Sequence, residues 1–425
     1  MKKDWITKLF ILYIFFYLLW GTHAWITWFL DDEAFSTNIR LIVILGGFLV
    51  SCSYLYENKI KLNFDTTTIL AGIIFIVSNA ISSKSSLLGV GVILLQYFPL
   101  WVLLSDKKNA KFALDSICYL IACVLLAGII MHIILFVVGR FPTIPIQYPG
   151  VSPYYFQNYF VILKGITYES EGIRFHSIFL ESGYMATMLS FLLYAVKYDF
   201  KKKRNIIIAI SIVLSFSLAG YVTSLIGYVL FLYSQKKSFK KQAILACGLC
   251  ILYIGITNYN DGNNLLKELI LDRLQYNQDK GISGNNRTGA AGDFYFEKAI
   301  ADGSFLWGLG GERISRINGG RGWQEIVDYE NQIRGAGVKI FILYHGIFIT
   351  MLFLFSFFLL SFSQRYSNRK HVYGFFMLIL LTFMQAAYPT SFSWWIPYIL
   401  ACSIEMNEKR RKVISQKTAG GEIIL

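Results

Sequence analysis

The chain has 425 residues, of which 55% are hydrophobic and only 16% charged, and its formal net charge is +14. A soluble protein of this length carries about 25% charged residues, and the mean hydropathy here is +0.50. Together these exclude a water-soluble globular class, and the excess of Lys and Arg reads as membrane topology and contact with anionic membrane lipids, with no nucleic acid as partner.

Apolar runs long enough to cross a bilayer recur from one end to the other. Spans are expected at about 9–30, 39–56, 66–82, 87–104, 112–138, 176–196, 205–219, 220–234, 242–257, 338–362, 372–388 and 391–405. The predicted fold class is therefore an all-α polytopic integral membrane protein, one membrane domain over 1–425 with about twelve transmembrane helices. MKK followed by an apolar core mimics a secretory signal, but the run continues to Leu30, so a retained first span is expected. The segments 205–219 and 220–234 are short for about 30 Å of hydrocarbon. They are read as a helical pair that turns at Ala219-Gly220.

Charge alternates between successive loops. MKKDWITK, ENKIKLNFD, SDKKNAK, KYDFKKKR, QKKSFKK, SQRYSNRK and the C-terminal tail hold 25 of the 40 lysines and arginines. By the positive-inside rule these loops and both termini are cytoplasmic. The opposite face then receives DDEAFSTN, SSKSS, a loop at 139–175, a large loop at 258–337 between spans nine and ten, and YPTS. All six cysteines lie within predicted spans, and the Cys247-Cys250 pair reads as small packing residues.

The sixth span opens on RFHSIFLESGY. Read as a helix, it places Arg174 and Glu181 seven residues apart on nearly one face, about 10 Å apart along the axis. Ionisable groups at such a depth face a protein interior or a wet cavity. His132 and His345, inside spans, read as packing residues, and His176 as pointing away from Arg174. In the large loop, 263–276 has the spacing of a surface-lying amphipathic helix and 289–302 that of a second one. Arg287, Arg313, Arg321 and Arg334 offer forked donors suited to phosphate. The turn Gly308 to Gly311 is able to present amides to an anion. No metal-ligand spacing and no nucleotide-phosphate loop is present, so neither a metal nor any other cofactor is expected.

The pattern R-x-x-S-x-F-x-E-x-x-Y-x-A from Arg174 to Ala186 resembles a stretch of bacterial O-antigen and capsular polysaccharide polymerases (Wzy-type), where a variant of F-x-E-P-S-x-F-A opens a helix after an arginine. SFSLAGYVTSLIGYVL (215–230) is similar to that family's short helix pair. Arg287 followed by FLWGLGG matches its arginine, helix and Gly-x-Gly order. The resemblance covers roughly 170–360, with Ser-Gly here where the family often has Pro-Ser. It implies a glycosyltransferase in the bacterial plasma (inner) membrane. Repeat units linked to undecaprenyl pyrophosphate would be joined at its outer face, with release of undecaprenyl pyrophosphate. A chain-length regulator and a flippase of the same pathway are the implied partners. Arg174 and Arg287 would stabilise the departing pyrophosphate, Glu181 would act as base or packing partner, and Tyr184, Arg313, Arg321 and Arg334 would bind substrate. Aromatics in 148–160, with Trp307 and Trp323, would stack on sugars or anchor at the interface. The related O-antigen ligases often carry a histidine where this chain reads NQIRGAGVKIFI. A lipid-linked oligosaccharide flippase, also often of twelve spans, is a reading from a different class.

Overall fold

The computed structural model describes residues 2–30, 36–62, 64–82, 86–149, 155–166, 174–235, 257–259, 267, 276–277, 281–282, 290–310, 313–314, 337–363, 366–384 and 391–406. These are mostly helical. In chain order they form α1 (Lys2–Gly21), a 3-10 helix (Trp25–Leu30), α2 (Ser36–Asn58), α3 (Thr66–Ser82), α4 (Leu87–Ser105) and α5 (Lys107–Val138). A small antiparallel sheet follows, β1 (Pro145–Gln147), β2 (Tyr155–Asn158) and β3 (Leu163–Gly165), in that spatial order. Then come α6 (Ser182–Ala195), α7 (Lys203–Leu214), α8 (Leu218–Ser234) and a short β4–β5 pair (Tyr276–Asn277, Gly281–Ile282). After the large loop's α9 (Ala290–Ala301) come α10 (Val338–His345), α11 (Ile347–Ser361), α12 (Arg369–Phe383) and α13 (Phe392–Glu405).

Among the described residues three helices, Thr37–Asn58, α4 and α5, are long and apolar enough to cross a membrane, and α10 with α11 makes a fourth if that bent pair counts as one span. The distribution of side chains is that of a protein in lipid. On α3, Ile69, Ile73, Val77 and Ile81 form an exposed stripe at four-residue spacing, while Thr68, Gly72 and Ser78 face inward. Water would punish such an inverted helix, and hydrocarbon would not. Several hydroxyls inside the bundle are satisfied locally, as in Ser51 Oγ to Gly47 O at 2.7 Å and Ser78 Oγ to Ile74 O at 2.6 Å. The core is built around α13, which packs on α1, α4, α5, α6 and α12 and is buried on every side from Phe392 to Ser403.

Helix ends meet in two groups. Asn58 touches Thr7, Tyr54 bonds Asp106, Lys202 and Arg204 hold Asp115, Lys197 pairs with Glu405, and Ser363 Oγ donates to Asp65 at 2.6 Å. All of these ends belong to the Lys/Arg-rich face of the charge count. Across the bundle, Ser391 Oγ donates to Gly21 O at 2.8 Å, Trp25 N to Ile178 O at 2.9 Å, and Ser82 meets His345.

Four sequence expectations are corrected. The first span stops at Gly21, where His23 adopts φ 51° and the chain turns into the 3-10 helix. The turn between α7 and α8 falls at Ser215–Ser217, where Ser217 Oγ caps α8, and not at Ala219-Gly220. Gly220 is instead a packing residue on α8: a Cβ there would lie 2.4 Å from the Ala186 Cβ of α6. The expected span 338–362 bends by 117° at Gly346, whose φ is +82°. The loop 139–175 carries the three-stranded sheet. The ninth span up to residue 256 lies outside the described residues, as do Cys247, Cys250, most of 258–337, Arg287, Trp323, Arg321 and Arg334.

Candidate functional site

Arg174 to Glu181 is not helical, so the expected shared helical face does not exist. The reason is competition for backbone groups. Phe175 N donates to Leu214 O at 3.1 Å, Leu163 N to Ser177 O at 2.8 Å and Trp25 N to Ile178 O at 2.9 Å, and Phe179 bridges to Ala24. These long-range bonds hold the segment extended and irregular, with Ser177 at φ 50°. Gly128 of α5 lets it approach, since a Cβ there would sit 2.7 Å from Ser177 Oγ. Helix α6 begins only at Ser182, with Glu181 in an extended N-cap conformation (φ −137°, ψ 148°) and no side-chain cap bond.

At this mouth Arg174 is half-buried. Its Nε and Nη2 are shut off from solvent and have no hydrogen-bond partner among the described residues. A buried guanidinium nitrogen without an acceptor is costly. Glu181 is exposed. Its carboxylate does stand at the positive end of α6.

Tyr184, one turn into α6, packs edge-on to His23 with ring centroids 5.7 Å apart. His23 Nδ1 lies 3.0 Å from Tyr148 Oη, and the Tyr148 ring meets Trp28 edge-on at 5.1 Å. Trp28 Nε1 in turn donates to His23 O at 2.9 Å. The result is an aromatic wall made by the α1 exit, the loop before β2 and the start of α6. Tyr148 was among the aromatics noted in 148–160, and Tyr184 was part of the Arg174 to Ala186 pattern. His23 was not singled out, because nothing near it in sequence announces the turn that lifts it to α6.

Around Phe175 lies a group of basic residues that the sequence did not bring together. Lys164 of β3 is buried and its Nζ is 2.8 Å from His132 Nδ1 on α5. Burial, reinforced by the nearby Arg140 charge, lowers the Lys164 ammonium to about 8. His176 is buried with Nδ1 2.6 Å from Phe179 O. Burial outweighs that hydrogen bond and lowers His176 to about 4, so it is neutral at pH 7.

The large loop supplies a different arrangement from the expected one. Gly308 N, Leu309 N and Gly310 N already donate to Ser304 O, Leu343 O and Tyr344 O at 2.8, 2.6 and 3.1 Å. The glycine turn is thus a clasp on the end of α10 and offers no anion nest at these amides. Both Gly308 and Gly346 have positive φ, and the Cβ of either would fall about 2.5 Å from the other segment's backbone. Arg313 is exposed and acts on Asp302, whose carboxyl is held below the usual range chiefly by hydrogen bonds from Ser304. No described contact brings Arg313 to Arg174. Trp307 is exposed beside Phe348, 5.1 Å between rings. No family model matches the chain, and no curated protein or solved structure matches it either.

Proposed function

We propose that the chain is a polysaccharide polymerase of the Wzy type. In this reading it has twelve spans, both termini in the cytoplasm and the Arg174 mouth at the outer face of the bacterial plasma membrane. The observation that carries the reading is Arg174, whose buried donors lack an acceptor among the described residues, at the same end of the bundle as the aromatic wall of Tyr184, His23 and Tyr148. A hydroxyl oxygen of the acceptor sugar forms the new bond to the anomeric carbon of the donor glycan. The bond from that carbon to the phosphate oxygen breaks, and undecaprenyl pyrophosphate leaves with the electron pair. The hydroxyl proton passes to a base or to water, and Glu181, exposed at the mouth, is placed to receive it. The donor carries its own leaving group, so no nucleotide is consumed. Arg174 neutralises charge as it grows on the pyrophosphate, where a fixed fork of donors in a partly dry site acts most strongly. Arg287, Arg321 and Arg334 retain their proposed phosphate roles from the sequence alone, and Arg313 serves as a peripheral contact.

Deleting the gene tests this. Surface lipid should then carry a single repeat unit in place of the long ladder. Arg174→Ala should fail to restore the ladder at normal membrane abundance, and Arg174→Lys should restore it only in part. Glu181→Gln, equally abundant, should be inactive. Full-length chains that accumulate on the lipid carrier and never reach their acceptor would establish a ligase. A normal ladder from both Arg174→Ala and Glu181→Gln would refute the site.

A further inference from the structure

We infer that Lys164, His132 and Arg140 form a phosphate pocket at the outer end of α5, which takes the head group of a lipid diphosphate. Naming a diphosphate as the ligand rests on the polymerase reading; the pocket itself rests on geometry. Strand β3 is covered on both faces, and all three of its residues are buried. The strand alternation sends Leu163 to the Trp28 and Phe156 cluster and Lys164 the other way, to α5. Lysine is almost never fully buried unless paired, and here the strand leads it to His132.

The neighbours of Lys164 among the described residues include three basic side chains. His132 is 2.8 Å away, Arg140 donates Nη1 to the neighbouring Gly165 O at 3.4 Å, and the neutral His176 is close by. An ammonium only donates, so His132 accepts at Nδ1 and carries its own proton on Nε2. That nitrogen is then a further donor. The α5 helix dipole does not account for the group, since its effect is confined to the last turn, whereas His132 stands six residues before Val138. Phe175 meets the His132 ring edge-on at 5.6 Å, so the residue next to Arg174 forms one wall.

The rim indicates which kind of phosphate fits. Immediately before Arg140, α5 leaves Ile133, Phe136, Val137 and Val138 exposed. Cations at the head of an apolar strip suit an amphiphile: phosphate oxygens on the basic group, hydrocarbon along α5.

The full chain in nanodiscs of zwitterionic lipid provides the test. A polyprenyl diphosphate is titrated beside the matching polyprenol, inorganic pyrophosphate and phosphatidylglycerol. The diphosphate should bind at least about tenfold more tightly than any of the other three, and Lys164→Met should lose about tenfold or more. Lys164→Arg should recover part of that loss, and the Met variant should unfold no earlier than wild type. Wild-type affinity in a folded Lys164→Met protein would overturn the pocket. Pyrophosphate or phosphatidylglycerol binding as tightly as the polyprenyl diphosphate would overturn the assigned ligand. The two readings fail separately. Binding that needs Lys164 in a protein whose deletion leaves the ladder intact removes only the polymerase. A ladder that needs Arg174 while Lys164→Met binds normally removes only the pocket.

Discussion

Lys164 shows how much a single side chain reports about its surroundings. Its ammonium is buried beside His132, Arg140 and His176, and its native value of about 8 lies below the ordinary 10.5. Between these values the unfolded chain binds a proton that the folded chain has released, so stability rises with pH across that window. The cost of burying the charge is fully present below about pH 8 and disappears towards 10.5. Lys164→Met should therefore melt at a higher temperature than wild type at pH 7 in detergent, with the gap closing by pH 10. A variant that melts earlier at pH 7, or a gap that ignores pH, would contradict this picture. Arg174 is the companion case, with two donors and no acceptor among the described residues. It was singled out in the sequence because an arginine stands at the head of an apolar run. Lys164 was not, because VILKGI gives no sign that a strand forms there with both faces covered.

At the scale of elements, two expectations failed for one reason. The apolar spacing before Ser182 is helical, and the FLWGLGG turn has the glycines of an anion nest. What decided both were partners distant in sequence. Trp25, Leu163 and Leu214 engage the backbone of 175–178, and Leu343 and Tyr344 accept from the glycine turn. Helix existence was otherwise well marked by long apolar runs, and α3, α4 and α13 lie close to their predicted limits. The α10–α11 bend yields its own prediction. Gly346→Ala meets both a positive φ and backbone atoms of Leu306 and Trp307 at 2.5 Å, which have no flexible end to give way. It should cost about 1–3 kcal/mol or more and release the clasp. Limited proteolysis should then cut within 302–310 well before it cuts wild type. Unchanged cleavage would mean that the clasp is not what holds this loop.

At the scale of the molecule, the charge-rich loops and the ion pairs between helix ends fall together. Loops rich in Lys and Arg collect at the ends where Asp106, Asp115 and Glu405 make their bonds. A cysteine placed at Asp302 should accordingly react with a membrane-impermeant reagent from outside intact cells, or spheroplasts, and one at Lys201 should not. Labelling at 201 alone would invert the topology and put the Arg174 mouth in the cytoplasm. Chemistry is the harder inference, because it joins residues from α1, α5, the sheet and α6 that no local pattern connects. Reconstitution tests that inference most directly. The purified chain in proteoliposomes receives repeat units linked to a polyprenyl diphosphate, with no nucleoside triphosphate present. The account predicts a ladder of lengthened glycans with one polyprenyl diphosphate released per bond formed, and no ladder from Arg174→Ala. Unlengthened repeat units that only cross to the other leaflet would contradict it and identify a flippase.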